Sequence, residues 1–356
     1  MRRSSLLLVA VLAAACAGPG PASQAPAASA SVTPSAAALG PGGLTLDEEV
    51  GAVIMVGFRG PLTEAVVSDW KQRQFGGLLV VNLNQNAATA PALTALIGQL
   101  RAANRHRLLA ATDQEGGQIC LAVSTVPCLP MPVDAAGTTR MAAALGSLGF
   151  DLDLGPVSDV CSGPESVMWG RCYGTEPAAV AAAVGPVVRG IHAAHLLSAA
   201  KHFPGHGDTT VSSETDLPRI DASLATLQSR EWPPFQAAIA AGTDFVLVGH
   251  LFYPALDPQR AASLSPAALG ALRNQLGFRG AIVSDDLQMG AITKTTPAPE
   301  AAVEFLLAGG DLAMIAHSLD VADATYDAIR QAVVSGRLPR KRLDQAVATL
   351  QALPAK

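Results

Sequence analysis

The chain has 356 residues, of which 49% are hydrophobic and 15% are charged, and its formal net charge at pH 7 is -5. This length suits one large folded domain or two small ones, and the composition provides ample material for a buried core. The negative net charge leaves no basic field to hold nucleic acid or an anionic lipid surface, so we expect a neutral or weakly charged substrate.

The N-terminus has the pattern of a bacterial export signal. Arg2 and Arg3 precede a short apolar stretch, Leu6 to Ala15, that is too short for a normal membrane span. The stretch ends in small residues directly before Cys16, which resembles a bacterial lipobox. We predict a lipoprotein signal peptide over residues 1–16, lipidation of Cys16 and a location at the outer face of the cell membrane. An ordinary cleaved signal peptide is the alternative.

Residues 17–43 consist almost entirely of Ala, Pro, Ser and Gly. Such a segment buries too little apolar surface to offset the entropy of ordering it. We expect it to be a disordered tether between the membrane and a single folded domain over residues 44–356. The lipid anchor would then be the only membrane contact of a protein that we expect to be monomeric.

Apolar strand-like segments alternate with Ala- and Leu-rich stretches of helical spacing from Leu44 onward. Continuous apolar strands separated by helices are typical of a parallel sheet. Eight such units fit an α/β fold of the single (β/α)8 TIM-type barrel kind, which takes about 250 residues. The predicted strands are Val53–Phe58, Gly77–Val81, Leu108–Thr112, Leu152–Leu154, Leu197–Lys201, Phe245–Val248, Ala281–Ser284 and Leu312–Ile315. The predicted helices include Pro91–Asn104, Pro177–Ala194, Leu224–Ala241, Pro266–Leu276, Ala298–Ala308 and Arg340–Leu353.

Ionisable residues follow four of the predicted strands. These are Asp113-Gln114-Glu115, Lys201-His202, His250 and Asp285-Asp286. Because active sites in this fold lie where the strands run into loops, we expect these groups to share one face of the barrel.

Four cysteines remain once Cys16 is set aside, and an even number in an exported protein suggests disulfides. Cys120 with Cys128 and Cys161 with Cys172 would each close a short loop, and this is the preferred pairing. A four-cysteine zinc site is the rival, but the chain lacks the usual C-x-x-C spacing.

The most specific motif is the string Lys-His-Phe-Pro-Gly-His-Gly, which begins at Lys201. Together with Asp113-Gln114-Glu115-Gly116-Gly117, Arg171 in a Gly-Arg-Cys-Tyr-Gly turn and the run Ser284 to Met289, it resembles glycoside hydrolase family 3, in its bacterial β-N-acetylglucosaminidase branch. The resemblance covers roughly Leu44 to Leu353 and implies a retaining β-N-acetylhexosaminidase that needs no metal or organic cofactor.

A retaining glycosidase needs a carboxylate nucleophile and a separate proton donor. Asp285, at the end of an apolar strand, is the nucleophile candidate, although an Asp at this position can also cap the next helix. The resemblance implies that four further residues bind the non-reducing N-acetylglucosamine. These are Asp113, Arg171, Lys201 and His202.

Two other histidines have open roles. His206 lies four residues after His202, a spacing that suits zinc only on a helix, and Pro204-Gly205 between them breaks a helix. We expect His206 to brace the loop. His250 could line the pocket or satisfy a buried polar position.

The chain departs from the family pattern at the proton donor. The family carries an Asp-Ser-His triplet a few residues after the signature, and this chain has Ser212-Ser213-Glu214 there. Glu214 could replace the histidine as acid/base, since a carboxylic acid is the usual donor in glycosidases. Asp216 or Asp208 could take the role instead, or hydrolysis could be lost. A milder departure is Gln118, which stands where the family usually has a basic residue.

We expect hydrolysis of terminal β-N-acetylglucosamine, with peptidoglycan fragments (muropeptides) as the substrates that the resemblance suggests. The main alternative is a sugar- or muropeptide-binding lipoprotein that is catalytically impaired. A phosphorylase or a β-glucosidase on the same fold is a third possibility.

Overall fold

The structure, a computed structural model, describes residues 39–355. The predicted signal peptide, the Cys16 lipidation site and most of the predicted tether lie outside the described residues. The last residues assigned to the tether, Pro41–Gly43, form a short 3-10 turn, and Gln351 Nε2 donates a hydrogen bond to the Pro41 carbonyl at 3.2 Å. Within the described range, none of the helices combines the length and apolar character of a bilayer span.

Eight parallel strands close into a barrel in the order β1-β10-β9-β8-β7-β6-β3-β2, and two further strands, β4 and β5, form an antiparallel hairpin. The prediction of a single (β/α)8 barrel is confirmed. The strands are β1 Ile54–Val56, β2 Gly77–Leu79, β3 Leu109–Thr112, β4 Gln114–Gly116, β5 Ile119–Cys120, β6 Leu152–Asp153, β7 Leu197–Phe203, β8 Phe245–Val248, β9 Ala281–Asp286 and β10 Leu312–Ile315.

Helices surround the barrel within the described part of the chain. They are α1 Leu46–Ala52, α2 Glu64–Arg73, α3 Ala90–Ala103, α4 Ala135–Leu148, α5 Pro177–Ala193, α6 Leu224–Thr226, α7 Trp232–Ala240, α8 Pro266–Asn274, α9 Gly290–Thr293, α10 Ala298–Ala308, α11 Leu319–Val334 and α12 Arg340–Gln351. Each of the six helices named from the sequence is present, with ends shifted by up to two residues or, between α6 and α7, with an interruption.

The barrel strands are buried along their whole length, because helices cover their outer faces and side chains fill the interior. Register is regular between β8 and β9, where Phe245 pairs with Ala281 and Val248 with Ser284. Strand β1 closes the barrel by pairing with β10 and β2. This burial explains why the strands are continuous apolar runs in the sequence.

A π-helical turn, Leu227–Glu231, separates α6 from α7, which the sequence predicts as one helix. Two prolines, Pro233 and Pro234, follow at the start of α7. Proline has no backbone N–H and clashes with the preceding turn, so a regular helix cannot run through this point.

Two strands extend further than the sequence predicts. Lys201 and His202 lie within β7, and Asp285 and Asp286 are the last residues of β9. Both strands therefore end two residues later than the sequence predicts. The side chains nevertheless reach the carboxyl end of the barrel, on a more rigid backbone than a loop provides.

Candidate active site

A cavity of about 240 Å³ opens at the carboxyl ends of the barrel strands, the usual position of active sites in this fold. Strands β7, β8, β9 and β10 contribute side chains to its wall, together with the loops that follow β3, β6 and β7. All six catalytic and sugar-binding candidates from the sequence line it. They are Asp113, Arg171, Lys201, His202, Glu214 and Asp285.

A buried ion-pair network forms one wall of the cavity. Lys201 Nζ contacts the Asp113 carboxylate and lies 2.7 Å from Glu115 Oε1. Arg171 forms a bidentate pair with the same Glu115, with Nε and Nη2 donating at 2.8 and 2.7 Å. Glu115 therefore holds both cations in place at the cavity wall.

The charges in this network stabilise one another. Burial alone would raise the pKa of Glu115, but Lys201 and Arg171 lower it to about 2. Burial would lower the pKa of Lys201, but Asp113 and Glu115 raise it above its usual value. Near neutral pH the wall therefore has fixed charges and fixed hydrogen-bond donors, which suits recognition of sugar hydroxyls.

Asp159, which is fully buried, orients both histidines of the signature string. Its Oδ2 lies 2.8 Å from His202 Nδ1, and its Oδ1 accepts the backbone N–H of His202 at 3.1 Å and of His206 at 2.7 Å. The Nε2 atom of His206 lies 3.1 Å from Ser213 Oγ. His206 thus braces the loop that carries Glu214, as the sequence predicts.

Asp285 lies at the end of β9, with its side chain on the cavity wall. Burial alone would raise its pKa, but the nearby His202, His250 and Lys201 lower it below the usual value. The backbone N–H of Asp286 also donates to Asp285 Oδ1 at 3.0 Å. An ionised, rigidly placed carboxylate is what a glycosidase nucleophile requires.

Two neighbours of Asp285 have structural roles. Asp286 Oδ1 accepts the backbone N–H groups of Ala316 and Gln288 at 2.9 and 3.1 Å, which ties β9 to the loop after β10. His250 is fully buried, and its nitrogens lie 2.8 Å from Ser263 Oγ and 2.9 Å from the Asp286 carbonyl. His250 therefore satisfies a buried polar position behind the nucleophile.

The loop that carries Glu214 is anchored beside Asp285. The backbone N–H groups of Gly290 and Ala291 donate to the carbonyls of Glu214 and Ser213 at 2.9 and 3.0 Å. Glu214 is an exposed residue at the cavity rim, but burial of its carboxyl and the charge of Asp285 raise its pKa. A raised pKa keeps a carboxylic acid protonated closer to neutral pH, as a proton donor requires.

The other acid candidates do not reach the cavity. Asp216 is exposed and pairs with Lys294 Nζ at 2.9 Å, a contact that lowers the pKa of Asp216. Asp208 is exposed as well, and neither residue belongs to the described cavity wall. Of the three acids considered from the sequence, only Glu214 lines the same cavity as Asp285.

Two disulfides brace the loops around the cavity, and they join the pairs preferred from the sequence. Cys120 bonds to Cys128 beside the β4–β5 hairpin, and Cys161 bonds to Cys172 directly after Arg171. Gln118, which stands where a basic residue is usual, contacts the Trp169 carbonyl at 3.5 Å.

The sequence does not predict the roles of two residues that shape the site. Glu115 is recognised there only as part of a motif, and Asp159 has no signal of its own. Their partners lie far away in the chain, so no local spacing reveals them. Within residues 39–355, no group of three or more His, Cys, Asp or Glu is arranged to hold a metal ion.

The cavity combines an ionised carboxylate, a second carboxyl of raised pKa and a cluster of fixed hydrogen-bond donors at the mouth of a (β/α)8 barrel. This combination defines a carbohydrate-cleaving barrel enzyme. Residues 45–353 match the sequence model of the "Glycosyl hydrolase family 3 N terminal domain". The chain therefore belongs to glycosyl hydrolase family 3, and the predicted family and enzyme class are confirmed.

Two relatives of similar sequence are both named beta-hexosaminidase. The chain is 30% identical over 290 residues to a beta-hexosaminidase of Stenotrophomonas maltophilia (strain R551-3), a match that covers 77% of this chain and 86% of the relative. It is 31% identical over 289 residues to a beta-hexosaminidase of Xylella fastidiosa (strain M12), which covers 76% and 85% of the two chains.

Solved structures agree with the fold. A family 3 beta-N-acetylglucosaminidase from Paenibacillus sp. str. FPU-7 superposes with a TM-score of 0.81 at 32% identity, covering 87% of this chain and 62% of that longer chain. The beta-N-acetylhexosaminidase from Beutenbergia cavernae DSM 12333 superposes with a TM-score of 0.77 at 26% identity, covering 87% and 98%.

Proposed function

We propose that the protein hydrolyses terminal, non-reducing β-linked N-acetylglucosamine with retention of configuration. The observation that carries this proposal is that Asp285 and Glu214 line one cavity, together with the Lys201–Glu115–Arg171 network. The names of the relatives, beta-hexosaminidase and beta-N-acetylglucosaminidase, support the same activity.

The network would bind the sugar hydroxyls of the terminal residue. Asp113 accepts hydrogen bonds from ring hydroxyls, while Lys201 and Arg171 donate to neighbouring hydroxyls and His202 can donate or accept. Because the charges are fixed before the sugar arrives, little reorganisation is needed on binding. We expect a sugar bound at this wall to have its anomeric carbon next to Asp285.

In the first step, an Asp285 carboxylate oxygen attacks the anomeric carbon, and a carbon–oxygen bond forms as the glycosidic bond breaks. Glu214 transfers its proton to the departing glycosidic oxygen, so the leaving group departs as a neutral alcohol. In the second step, the ionised Glu214 removes a proton from water, and the water oxygen displaces Asp285. Two inversions at one carbon give net retention.

The physiological setting follows from the sequence. We propose that Cys16 carries a lipid, that the protein is exported and anchored at the outer face of the cell membrane, and that it acts as a monomer. Peptidoglycan fragments that end in β-N-acetylglucosamine are then the accessible substrates. A tether of Ala, Pro, Ser and Gly over residues 17–43 would let the enzyme reach them from the membrane.

The experiment is release of 4-nitrophenol from its β-N-acetylglucosaminide by the wild type, Asp285→Asn and Glu214→Gln. We expect turnover by the wild type and loss of essentially all activity in Asp285→Asn. Removal of general acid help typically costs about 10²- to 10⁴-fold. Because 4-nitrophenol needs little protonation to leave, Glu214→Gln should lose more activity on N-acetylglucosaminyl-β-1,4-N-acetylglucosamine than on the chromogenic substrate.

Absence of wild-type turnover on both substrates, together with measurable binding of N-acetylglucosamine, would replace this proposal by that of a sugar-binding protein. Full activity of Glu214→Gln on the disaccharide would show that another group donates the proton.

A further inference from the structure

An open recess of about 490 Å³ lies at the amino end of the barrel, opposite the candidate active site. It is formed by the segments that lead into β9 and β10 and by one face of α12, which packs against α1, α10 and β9 at this end. Three arginines and one carboxylate line the recess. They are Arg273, Arg279, Arg342 and Asp311. Three positive charges against one negative charge leave an excess of two positive charges in the recess.

The buried carboxylate of Asp311 holds two of the arginines in place. Arg273 Nη2 and Arg342 Nη2 donate to its two oxygens at 2.7 and 2.8 Å, and Arg279 Nη1 donates to the Arg273 carbonyl at 3.0 Å. Each arginine keeps at least one N–H group without a hydrogen-bond partner among residues 39–355. These groups are the Nε of Arg273, the Nη1 of Arg342 and the Nε and Nη2 of Arg279. Unpaired guanidinium N–H groups in one recess suit the oxygens of a phosphate.

The positive charges of the recess are only partly compensated. Burial lowers the pKa of Arg273, and the charges of Arg342 and Arg279 lower it further, although Asp311 opposes the shift. Lys341, directly before Arg342, is exposed and has no ion pair in the described part of the chain. The net charge of the whole chain is negative, but charges beyond about 8 Å are largely screened at physiological ionic strength. The local excess therefore decides what this surface attracts.

Two exposed apolar side chains lie at the same end of the barrel. The helices run antiparallel to the strands in this fold, so the last turns of α10 and α11 lie at the amino end. Leu307, in the last turn of α10, is 39% exposed, and Val334, at the end of α11, is 59% exposed. Leu307 is close in sequence to Gly309, which lines the recess. Such side chains are ordinary when isolated, but exposed apolar groups beside cations are typical of surfaces that bind at a membrane interface.

The N-terminal segment joins the folded domain at this end too. The Pro41 carbonyl accepts a hydrogen bond from Gln351 Nε2 on α12, the helix that also lines the recess. Residues 17–38 lie between Cys16 and the described chain, and a segment of that length spans at most about 80 Å. A lipid on Cys16, as proposed above, would therefore keep the recess near the membrane and raise its effective concentration there.

We propose that the amino end of the barrel docks on anionic phospholipid, with a headgroup phosphate bound by Arg273, Arg279 and Arg342 and with Leu307 and Val334 at the membrane interface. The inference rests on the proposed location at the membrane and goes beyond the proposed activity. It adds a membrane contact to the lipid anchor, which limits the distance of the barrel from the membrane but not its orientation. Docking directs the active-site cavity, at the opposite end, away from the lipid and towards the proposed peptidoglycan substrates.

The first test is hydrogen–deuterium exchange of the full protein, as purified from producing cells, on vesicles of phosphatidylcholine with and without phosphatidylglycerol. We expect slower exchange in the peptides over residues 273–281 and 305–311 only where phosphatidylglycerol is present. Arg279→Gln together with Lys341→Gln removes two exposed cations and leaves the two arginines bound to Asp311. At about 1 kcal/mol for each basic residue, this change should lower the docking equilibrium about 30-fold.

A control variant removes the same amount of charge elsewhere on the surface. Arg140→Gln together with Arg219→Gln changes exposed residues in the first half of α4 and in the loop after β7. This variant should keep the protection of the wild type. Equal exchange on both kinds of vesicle, or an equal loss of protection in the control variant, would overturn the inference.

A second test separates a lipid headgroup from a free phosphate ion, which the arginines alone would not distinguish. Leu307→Ser together with Val334→Ser keeps every cation but removes the apolar contact, so it should weaken protection on the vesicles that contain phosphatidylglycerol. The same protection by inorganic phosphate without vesicles, with no effect of these two changes, would assign the recess to a free ion and refute the docking.

The inference and the proposed function can fail separately. Hydrolysis of the soluble chromogenic substrate does not require docking, so it is measured on the same proteins as an independent readout. Turnover without protection on anionic vesicles would refute the docking and leave the proposed function standing. Protection without turnover would support the docking and count against the proposed function.

Discussion

Glu115 Oε1 lies 2.7 Å from Lys201 Nζ and also 2.7 Å from Arg171 Nη2, so one carboxylate joins two cations that separate elements bring to the barrel mouth. Glu115 belongs to the β4–β5 hairpin, Lys201 to β7 and Arg171 to the loop after β6. The sugar-binding wall depends on this single buried carboxylate, whose side chain is 1% exposed.

Glu115→Gln should therefore weaken both stability and substrate binding. Removing one partner of a buried ion pair typically costs about 3–5 kcal/mol, and a neutral amide leaves two cations partly uncompensated. We expect a lower free energy of unfolding in urea and a raised KM. Glu300→Gln, which breaks an exposed pair with Arg337, should change the free energy by at most about 1 kcal/mol.

The low pKa of Glu115 predicts how the free energy of unfolding changes in acid. The pKa of Glu115 is about 2 in the folded protein and about 4.3 in an unfolded chain. Its contribution to stability is therefore complete above the unfolded pKa and is lost as the pH falls towards 2. The difference in unfolding free energy between the wild type and Glu115→Gln should shrink over this range. A difference that stays constant from about pH 5 to about pH 2 would contradict the assignment.

Ionisation of Asp153 should have the opposite effect on the dependence of stability on pH. Burial raises its pKa to about 8, against about 3.9 in an unfolded chain. Between these values the unfolded chain loses the proton while the folded protein retains it, so stability falls as the pH rises. Asp153→Asn cannot ionise and should show a flatter decline from about pH 4 to about pH 8 in thermal unfolding. Asp221→Asn, an exposed change, should follow the wild-type curve.

The opposite pKa shifts of Asp285 and Glu214 predict a bell-shaped dependence of kcat/KM on pH. The nucleophile must be ionised, so activity falls in acid below the lowered pKa of Asp285. The proton donor must be protonated, so activity falls as the pH rises above the raised pKa of Glu214. On the chromogenic substrate, Glu214→Gln should lose the alkaline limb and keep the acid limb. An alkaline limb that persists in this variant would point to a different donor.

The Cys161–Cys172 bridge should stabilise the position of Arg171, which directly precedes Cys172. The bridge joins residues 11 positions apart, and closing a loop of this length contributes about 3 kcal/mol to stability. The double Cys→Ser change at these positions should lower the melting temperature and raise KM, with a smaller effect on kcat. The same double change at Cys120 and Cys128 is the matched comparison. An unchanged KM in the first variant would show that Arg171 is positioned without the bridge.

The sequence predicts the barrel well because its strands are buried on both faces, and such strands are continuous apolar runs. It also predicts that Asp285 and Lys201 lie at the carboxyl end of the barrel, since both come at the end of such runs. It does not predict the break between α6 and α7, where Pro233 and Pro234 replace regular helical bonding by a π turn.

The contacts of the site are harder to predict than its members. Asp159 orients His202 across 43 positions of sequence, and Asn84 orients His317 across 233. Such pairs carry no local spacing that could reveal them. Only the closed barrel brings the loops after β2 and β10 together, because β1 alone lies between these two strands.

The central claim is that Asp285 forms a covalent bond to the sugar. The most direct measurement is mass spectrometry of peptides from Glu214→Gln after incubation with a 5-fluoro-N-acetylglucosaminyl fluoride, since the fluorine at C5 slows release of the intermediate and the variant lacks the base for hydrolysis. We predict one added 5-fluoro-N-acetylglucosaminyl group on the peptide that contains Asp285, and none in Asp285→Asn. A sugar on a different residue, or no adduct in a protein that turns over the chromogenic substrate, would contradict the account.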